Sequence, residues 1–292
     1  MRILRSIRTA LQRLAELERR STQLQEALGR IESRQMRARS PQSAAEAEYR
    51  VFSQWGEDGI VDWLTGSVPI ERRVFVEFGV QDYTEANTRF LLVHRNWSGL
   101  VLDSDEANVR AIRSRDMYWR HDLRAAAAFI TAENIDALLA EHDLRGDIGL
   151  LSIDIDGNDY WVWRAISVIS PRIVIVEYNS RLGAERAVTI PYRADFRRAA
   201  AHHSMLYYGA SLGALCKLGR EKGYALVCCN QAGNNAFFVR ADVLPASVRA
   251  ADTAQAFVRG RFRESRGERG ELDFMSAAAE EELLRRLPWM EV

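Results

Sequence analysis

Short apolar runs recur through the middle of the chain, and each one ends in a glycine-bearing or acidic turn. They are Arg73-Val-Phe-Val-Glu-Phe-Gly79, Gly99-Leu-Val-Leu-Asp103, Ile148–Asp154 and Pro171-Arg-Ile-Val-Ile-Val-Glu177. A strand buried on both faces of a parallel sheet reads as such a continuous run. Met117–His121 predicts a further short strand, third in order. Stretches of helical spacing lie around them: Gln54–Leu64, Thr84–Arg95, Glu106–Arg113, Thr131–His142 and Tyr160–Val168. Strands alternating with helices of this length predict βαβ units and a parallel sheet. The style then changes. Ser211–Lys222 predicts a helix stopped by Gly223. Tyr224–Cys229 and Ala236–Arg240 predict strands whose turn-rich link, Asn230–Asn235, permits antiparallel pairing. The expected fold is α/β: a doubly wound, mostly parallel sheet with a C-terminal antiparallel hairpin, preceded by a long N-terminal helix.

That N-terminal helix has its own pattern. Residues 1–37 contain no proline and no aromatic residue, and Leu4, Ile7, Leu11 and Leu14 follow a 3-4 spacing. Leu17, Leu24, Leu28 and Ile31 resume it after a phase shift. A narrow stripe of this kind suits a short coiled coil with a stutter, and hence a homo-oligomer. Packing on the chain's own domain is a second reading. Contact with a membrane surface through Arg2, Arg5, Arg8 and Arg13 is a third. Residues 38–48 read as a linker, 49–245 as the main domain, and 246–292 as a charged tail ending in a helix at Ser276–Leu287.

Composition narrows the function. The chain has 292 residues and a formal net charge of zero, without the basic surplus of a dedicated nucleic-acid binder. Its three cysteines, Cys216, Cys228 and Cys229, form a poor disulfide framework and are expected as buried thiols in a reducing cytoplasm. No apolar stretch reaches the ~18 residues of a membrane span, and the basic N-terminus lacks the apolar core of a signal peptide.

The chemistry is expected at the carboxyl ends of the strands, where open α/β sheets bind ligands. Gly79 lets the backbone approach a ligand closely, and Glu77 is placed to hold an ammonium. An acid at the end of the second strand, Asp103, suits the two hydroxyls of a ribose. Asp154, Asp156 and Asp159 crowd the turn after the fourth strand. They are read in three ways: helix caps that bind turn amides, contacts to a substrate, or ligands of a metal such as Mg²⁺, with Asp154, Asp156 and Glu177 as the ligand set. Trp161 and Trp163 are expected in the core or an interface.

Four segments together resemble the FkbM-type S-adenosylmethionine-dependent methyltransferases. They are Val-Glu77-Phe-Gly79, Gly99-Leu-Val-Leu-Asp103, Ser152-Ile-Asp154-Ile-Asp156-Gly157-Asn158-Asp159 and Pro171-Arg-Ile-Val-Ile-Val-Glu177. Ser53-Gln-x-Gly-Glu57-Asp58 also resembles a segment of that family. The resemblance spans roughly residues 50–240, and the turn after the fourth strand is its most specific part. It implies a class I methyltransferase (Rossmann-like) fold, S-adenosylmethionine as donor, and O-methylation of a sugar or secondary metabolite. On that implication Glu77 and Gly79 hold the methionine moiety, Asp103 the ribose, and Asp122 approaches the adenine. Gln81 and Tyr83 stand where the usual nucleotide turn has further glycines, so Tyr83 is expected to crowd the methionine end.

An acceptor lid is expected over Ser180–Gly209. His202 and His203 there are candidate bases for a hydroxyl acceptor. Arg181, Arg186, Arg193, Arg197 and Arg198 are candidates to hold a phosphate or carboxylate on it. Asp154 and Glu177 are expected to meet beside the reacting hydroxyl, and Asn234 and Asn235 to border the pocket. The leading expectation is O-methylation of a sugar or glycan-linked hydroxyl. The alternatives are a non-catalytic Rossmann-like scaffold assembled through residues 1–37, and a metal-dependent hydrolase or nucleotide-binding enzyme of another α/β class. No GxSxG or GxxxxGK[ST] motif supports the last.

Overall fold

The computed structural model describes residues 2–292, with side chains throughout except at 2–5 and 15. The side chains of Arg2, Leu4 and Arg5, counted above in the seam and the basic face, lie outside the described residues. Among the described residues nine strands run β1 (Val74–Phe78), β2 (Ser98–Asp103), β3 (Leu123–Ala127), β4 (Gly146–Ile153), β5 (Ile169–Glu177), β6 (Val188–Thr189), β7 (Tyr224–Cys229), β8 (Asn235–Arg240) and β9 (Met290–Glu291). Seven of them form one sheet in the order β3-β2-β1-β4-β5-β8-β7. β1 to β5 pair in parallel, while β8 runs antiparallel to both β5 and β7. This is the class I methyltransferase layout. The order reverses between β1 and β4, which opens a crevice above their carboxyl ends.

Both faces of the sheet are covered. Alternate residues of each central strand point to opposite faces. Val76, Leu151 and Val174 therefore join one core cluster, and Phe75, Leu150 and Ile173 the other. That double burial is why the strands read as unbroken apolar runs.

The third strand departs from its sequence expectation. Asp116–Arg120 is a helical turn, and β3 follows at Leu123–Ala127. Its Leu-Arg-Ala-Ala-Ala sequence has little β propensity and passes unnoticed beside the aromatic Met-Tyr-Trp run.

Helix α1 (Arg2–Arg39) is continuous. Its C-terminal half docks on α2 (Glu57–Ser67) and α3 (Arg89–Arg95) through small and polar residues together with Met36, which joins the core. Gly29 allows the approach: a Cβ there would lie 2.7 Å from Val51 Cγ2. Buried Asp62 accepts from Ser33 Oγ at 2.7 Å, and from Arg37 at 2.9 Å and Arg95 at 2.8 Å. The apolar seam faces away, with Leu11, Leu14, Leu17, Leu24 and Leu28 all more than 60% exposed. Thus the docked face of the helix is not its apolar stripe. No described helix is long and apolar enough to cross a membrane.

Residues 38–48 contain a helical turn, Ala44–Ala47, capped by Ser43 and buried at Ala44 and Ala47. The C-terminal segment returns to the domain. Tyr178 Oη donates to the Val258 carbonyl at 2.6 Å, and Gly260 N donates to Ser180 Oγ at 2.9 Å. A last helix, α4 (Ala277–Arg285), is capped by Ser276 as its sequence predicts. β9 then pairs with β6.

Candidate active site

A cleft of about 1000 Å³ lies above the carboxyl ends of β1, β2, β3, β4 and β5. Its first half is built by the β1 and β2 turns. Gly79 has φ +71°, and a Cβ there would lie 1.7 Å from the Asp154 carbonyl oxygen. No other residue fits, because both the left-handed backbone and the contact exclude a side chain. Gln81 and Tyr83 also adopt positive φ, 48° and 63°, without being glycines. Specific bonds hold each one. Gln81 N donates to Asp103 Oδ2 at 2.7 Å. Tyr83 is fully buried, its hydroxyl 2.8 Å from Thr88 Oγ1. The ring therefore packs into the core and does not line the cleft, contrary to the crowding expected of it.

Glu77 and Asp103 both line this half. Glu77 accepts from Asn87 N at 2.7 Å, from Thr88 N at 3.1 Å and from Thr88 Oγ1 at 2.5 Å. It thereby holds the entry to α3. Burial pushes its carboxyl up to about 7, against those stabilising donors. Asp103 Oδ1 accepts from Asp105 N at 2.9 Å and from Asn108 Nδ2 at 3.0 Å, so this carboxylate ties its own turn to that of Gln81.

Asp122 is not in the cleft. It precedes β3, and its carbonyl accepts from Gly99 N at the amino end of β2, the opposite edge of the sheet. Because the third strand was placed one segment too early, its carboxyl end was too. That end reaches the cleft as Ala128, Phe129 and Ile130.

The second half gathers the carboxylates after β4 and β5. Ligating oxygens of Asp154, Asp156 and Glu177 lie within 4.8 Å of one another. Burial, then the neighbouring Asp156 and Asp159, raises the Asp154 carboxyl well above the usual range. Burial, then Asp154, raises Glu177 likewise. Glu177 is 8% exposed, and its Oε2 has no hydrogen-bond partner. Asp156 has φ +55° and turns out to Arg198, whose Nη1 is 2.7 Å from its Oδ1. Asp159 meets the turn-amide part of its expected role but not the helix cap, for the helix Asp159–Ala165 has no side-chain cap bond: it accepts from Ile155 N at 2.8 Å and Gly157 N at 2.9 Å, and burial raises its carboxyl to about 6. The three aspartates therefore have three different tasks.

The Ser53–Asp58 motif frames the cleft without reacting in it. Asp58 Oδ2 accepts from the amides of Val51, Phe52 and Ser53 and from Ser53 Oγ, at 2.7–2.8 Å. Glu57 accepts from Asn230 Nδ2 at 2.6 Å and Asn235 Nδ2 at 3.0 Å, tying this loop to the terminal hairpin. Between them Gln54 and Trp55 enter the wall, and Asn234 and Asn235 border it as expected.

The lid differs from expectation. Neither His202 nor His203 lines the cleft. His202 Nδ1 is 2.8 Å from Ser204 Oγ, and the two imidazoles lie 4.3 Å apart on each other. Neither imidazole borders the space a ligand in the cleft would occupy, so position gives the base role expected of them no support. Of the five arginines, Arg198 alone reaches the cleft among the described residues. It is held by Asp156, by the Met205 carbonyl at 2.7 Å, by an ion pair with Glu264 at 2.8 Å, and by the Tyr208 ring 3.8 Å from its guanidinium, while its buried Nη2 makes no hydrogen bond. Arg181 is buried against Glu264 and Glu280. Trp163 is core, and Trp161 donates to the Ile190 carbonyl at 2.9 Å.

Sequence reasoning missed Phe262 and Glu264. They arrive from the C-terminal segment, where Phe262 packs on Trp55 with ring centroids 5.0 Å apart. Only the aromatic Arg-Phe-Arg-Glu within a polar tail signals them. Five carboxyl groups border the first half of the cleft (Glu77, Asp82, Glu85, Asp103 and Asp105) and four the second (Asp154, Asp156, Glu177 and Glu264). Arg198 is the one opposing cation there among the described residues.

No protein-family model and no curated protein matches the sequence. Distant likenesses exist among solved structures. The N-terminal domain of EvdMO1 with SAH bound covers 64% of this chain and 80% of its own, at 12% identity and a TM-score of 0.42. An S-adenosylmethionine-dependent methyltransferase from Clostridium acetobutylicum covers 62% and 88%, at 8% identity and 0.38. An O-methyltransferase from Bacillus cereus in complex with SAH covers 44% and 58%, at 14% identity and 0.30. At such distances the chemistry of this cleft is read from its own side chains.

Proposed function

We propose that the protein is an S-adenosylmethionine-dependent O-methyltransferase acting on a sugar or glycan-linked hydroxyl. One observation carries this reading: a single cleft joins the Gly79 and Asp103 turns to the Asp154–Glu177 carboxyl pair. The residues present fit the donor. Its ammonium and sulfonium suit a cleft bordered by carboxyl groups. Glu77 Oε1 accepts one bond and has capacity for the ammonium, and Asp103 stands at the ribose position. When bound, S-adenosylmethionine supplies a methyl group on a positively charged sulfur.

The protein's own task is to position the acceptor and take its proton. Two carboxyl groups this close do not both ionise, so the pair holds one proton and one negative charge. The ionised partner accepts the hydroxyl proton as the oxygen attacks. Trp55 and Phe262 offer an aromatic wall, and Asn158, Asn234 and Asn235 amide groups for sugar hydroxyls. A Mg²⁺ ion on Asp154, Asp156 and Glu177 is the second way to relieve their repulsion. Arg198 on Asp156 favours the shared proton.

The exposed 3-4 seam of α1 supports self-association through residues 1–37, since a copy of the same stripe is its natural complement. Three buried free thiols agree with a reducing, cytoplasmic setting.

Calorimetric titration of the full chain with S-adenosylmethionine tests the reading. Binding is expected, and Asp103→Ala is expected to weaken it by about 1–3 kcal/mol. No binding to the native protein would sink the donor assignment. Unchanged affinity in the variant would remove the ribose role alone.

A further inference from the structure

The second half of the cleft is built almost wholly of hydrogen-bond acceptors. Glu177 has no donor among the described residues, although it is 8% exposed. Two residues of the same lining, Asn235, which pairs with Glu177 across the strands, and Asn158, have amide oxygens that are also buried and without a partner, each residue being 4% exposed. Their orientation is imposed from behind. Asn235 must turn its NH₂ to Glu57, a carboxylate that only accepts, at 3.0 Å. Asn158 must turn its NH₂ to the Arg193 carbonyl, at 2.8 Å. Each oxygen is thus held without a donor by a partner that cannot supply one. Buried acceptors left unpaired are costly, so this arrangement awaits a ligand rich in donors.

The charge of that ligand follows from the same wall. Among the described residues Arg198 is the one cation of the lining, and its charge is already shared between Asp156 and Glu264, although its Nη2 makes no hydrogen bond; a phosphate or a carboxylate would compete with those two carboxylates and face the other acidic groups of the wall. From this we infer that the acceptor, on the reading proposed above, carries a protonated amine beside its reacting hydroxyl, as an amino sugar does. An ammonium group brings three N–H donors and one positive charge to Glu177, Asp154 and the two amide oxygens. A neutral polyol brings donors without the charge. An anionic acceptor meets repulsion and unpaired oxygens together.

The test is equilibrium binding to the metal-free full-length protein by calorimetry, with glucosamine, glucose, glucose 6-phosphate and Mg²⁺ as separate probes. Glucosamine is expected to bind at least about tenfold tighter than glucose, a difference of about 1.4 kcal/mol, and glucose 6-phosphate more weakly than either. Glu177→Gln and Asp154→Asn are each expected to erase the amine preference, with the far-ultraviolet circular dichroism unchanged. Equal binding of glucosamine and glucose, no glucosamine binding, or tighter binding of the phosphate overturns the inference. So does Mg²⁺ that binds alone and strengthens glucose without any gain for the amine, which would assign the positive charge to a metal. SAH titrated into the same protein separates the two readings. Glucosamine preference without SAH binding removes the donor assignment and leaves the cation selectivity. SAH binding without amine preference does the reverse.

Discussion

Gly79 and Asp154 are pressed together at the centre of the sheet: a methyl group at position 79 would lie 1.7 Å from the Asp154 carbonyl oxygen. The end of β1 thereby touches the end of β4, and the two halves of the cleft share one wall. Gly79→Ala must both accept a left-handed backbone and push the β4 turn away. The expected cost is about 2–4 kcal/mol in urea unfolding, with loss of S-adenosylmethionine affinity. An unchanged unfolding midpoint would show that the β4 turn yields freely.

The Asp154–Glu177 pair predicts a pH profile. Both carboxyls are raised by burial and then by their acidic neighbours, so the base form appears only as pH climbs. Turnover is expected to rise with pH only above the usual carboxylate range. Asp154→Asn removes the nearest repelling neighbour from Glu177 and should move that rise to lower pH. Each of Asp154→Asn and Glu177→Gln is expected to reduce turnover by ~10²–10⁴-fold with the fold intact. Near-normal rates in both would make these carboxyls structural.

Asp58 predicts a stability effect away from catalysis. Burial raises its carboxyl from the ordinary 3.8 to about 6, although four donors surround Oδ2. The folded state thus holds a proton that the unfolded state has released. The group's stability contribution is full below pH 3.8 and is lost as pH rises to about 6. Asp58→Asn keeps an acceptor oxygen for the donors and places its NH₂ at the unpartnered Oδ1. The variant is expected to match the native protein near pH 4 and to exceed its stability by up to about 3 kcal/mol at pH 8. Chemical denaturation at both pH values decides it, and a variant less stable at pH 8 refutes the argument.

The outward seam of α1 predicts association. Leu11, Leu14 and Leu17 are 61–63% exposed and make no part of the domain core. Replacing all three by Gln in the full chain should convert an oligomer to a monomer in sedimentation, without changing the unfolding midpoint of the domain. The same sedimentation coefficient for both proteins would leave the seam without a partner of its own kind. These substitutions are preferable to truncation at Ala44, which would also remove Ser33 and Met36 from the docked face.

The pattern of residues by itself determined the sheet. Runs such as Val-Phe-Val-Glu-Phe and Arg-Ile-Val-Ile-Val-Glu must be buried on both faces, and short acidic turns after them must lie at one edge. Glu77, Gly79, Asp103, Asp154 and Glu177 were legible for that reason: strand direction alone places them on the same rim. Ala-rich β3 was not, because its burial comes from its neighbours and not from its own side chains. Asp122 was misplaced with it. What only the tertiary structure decided is which groups have partners. Glu57, Asp58 and Asp159 look as reactive in sequence as Asp154, yet backbone amides engage all three. Arg198 was one of five lid arginines until folding set it between Asp156 and Glu264. Phe262 and Glu264 reach the cleft from a tail some eighty residues beyond β5 in sequence. Local periodicity records which way a residue faces along its own element. Pairing across the cleft depends on contacts distant in the chain, and a single sequence carries no period for them.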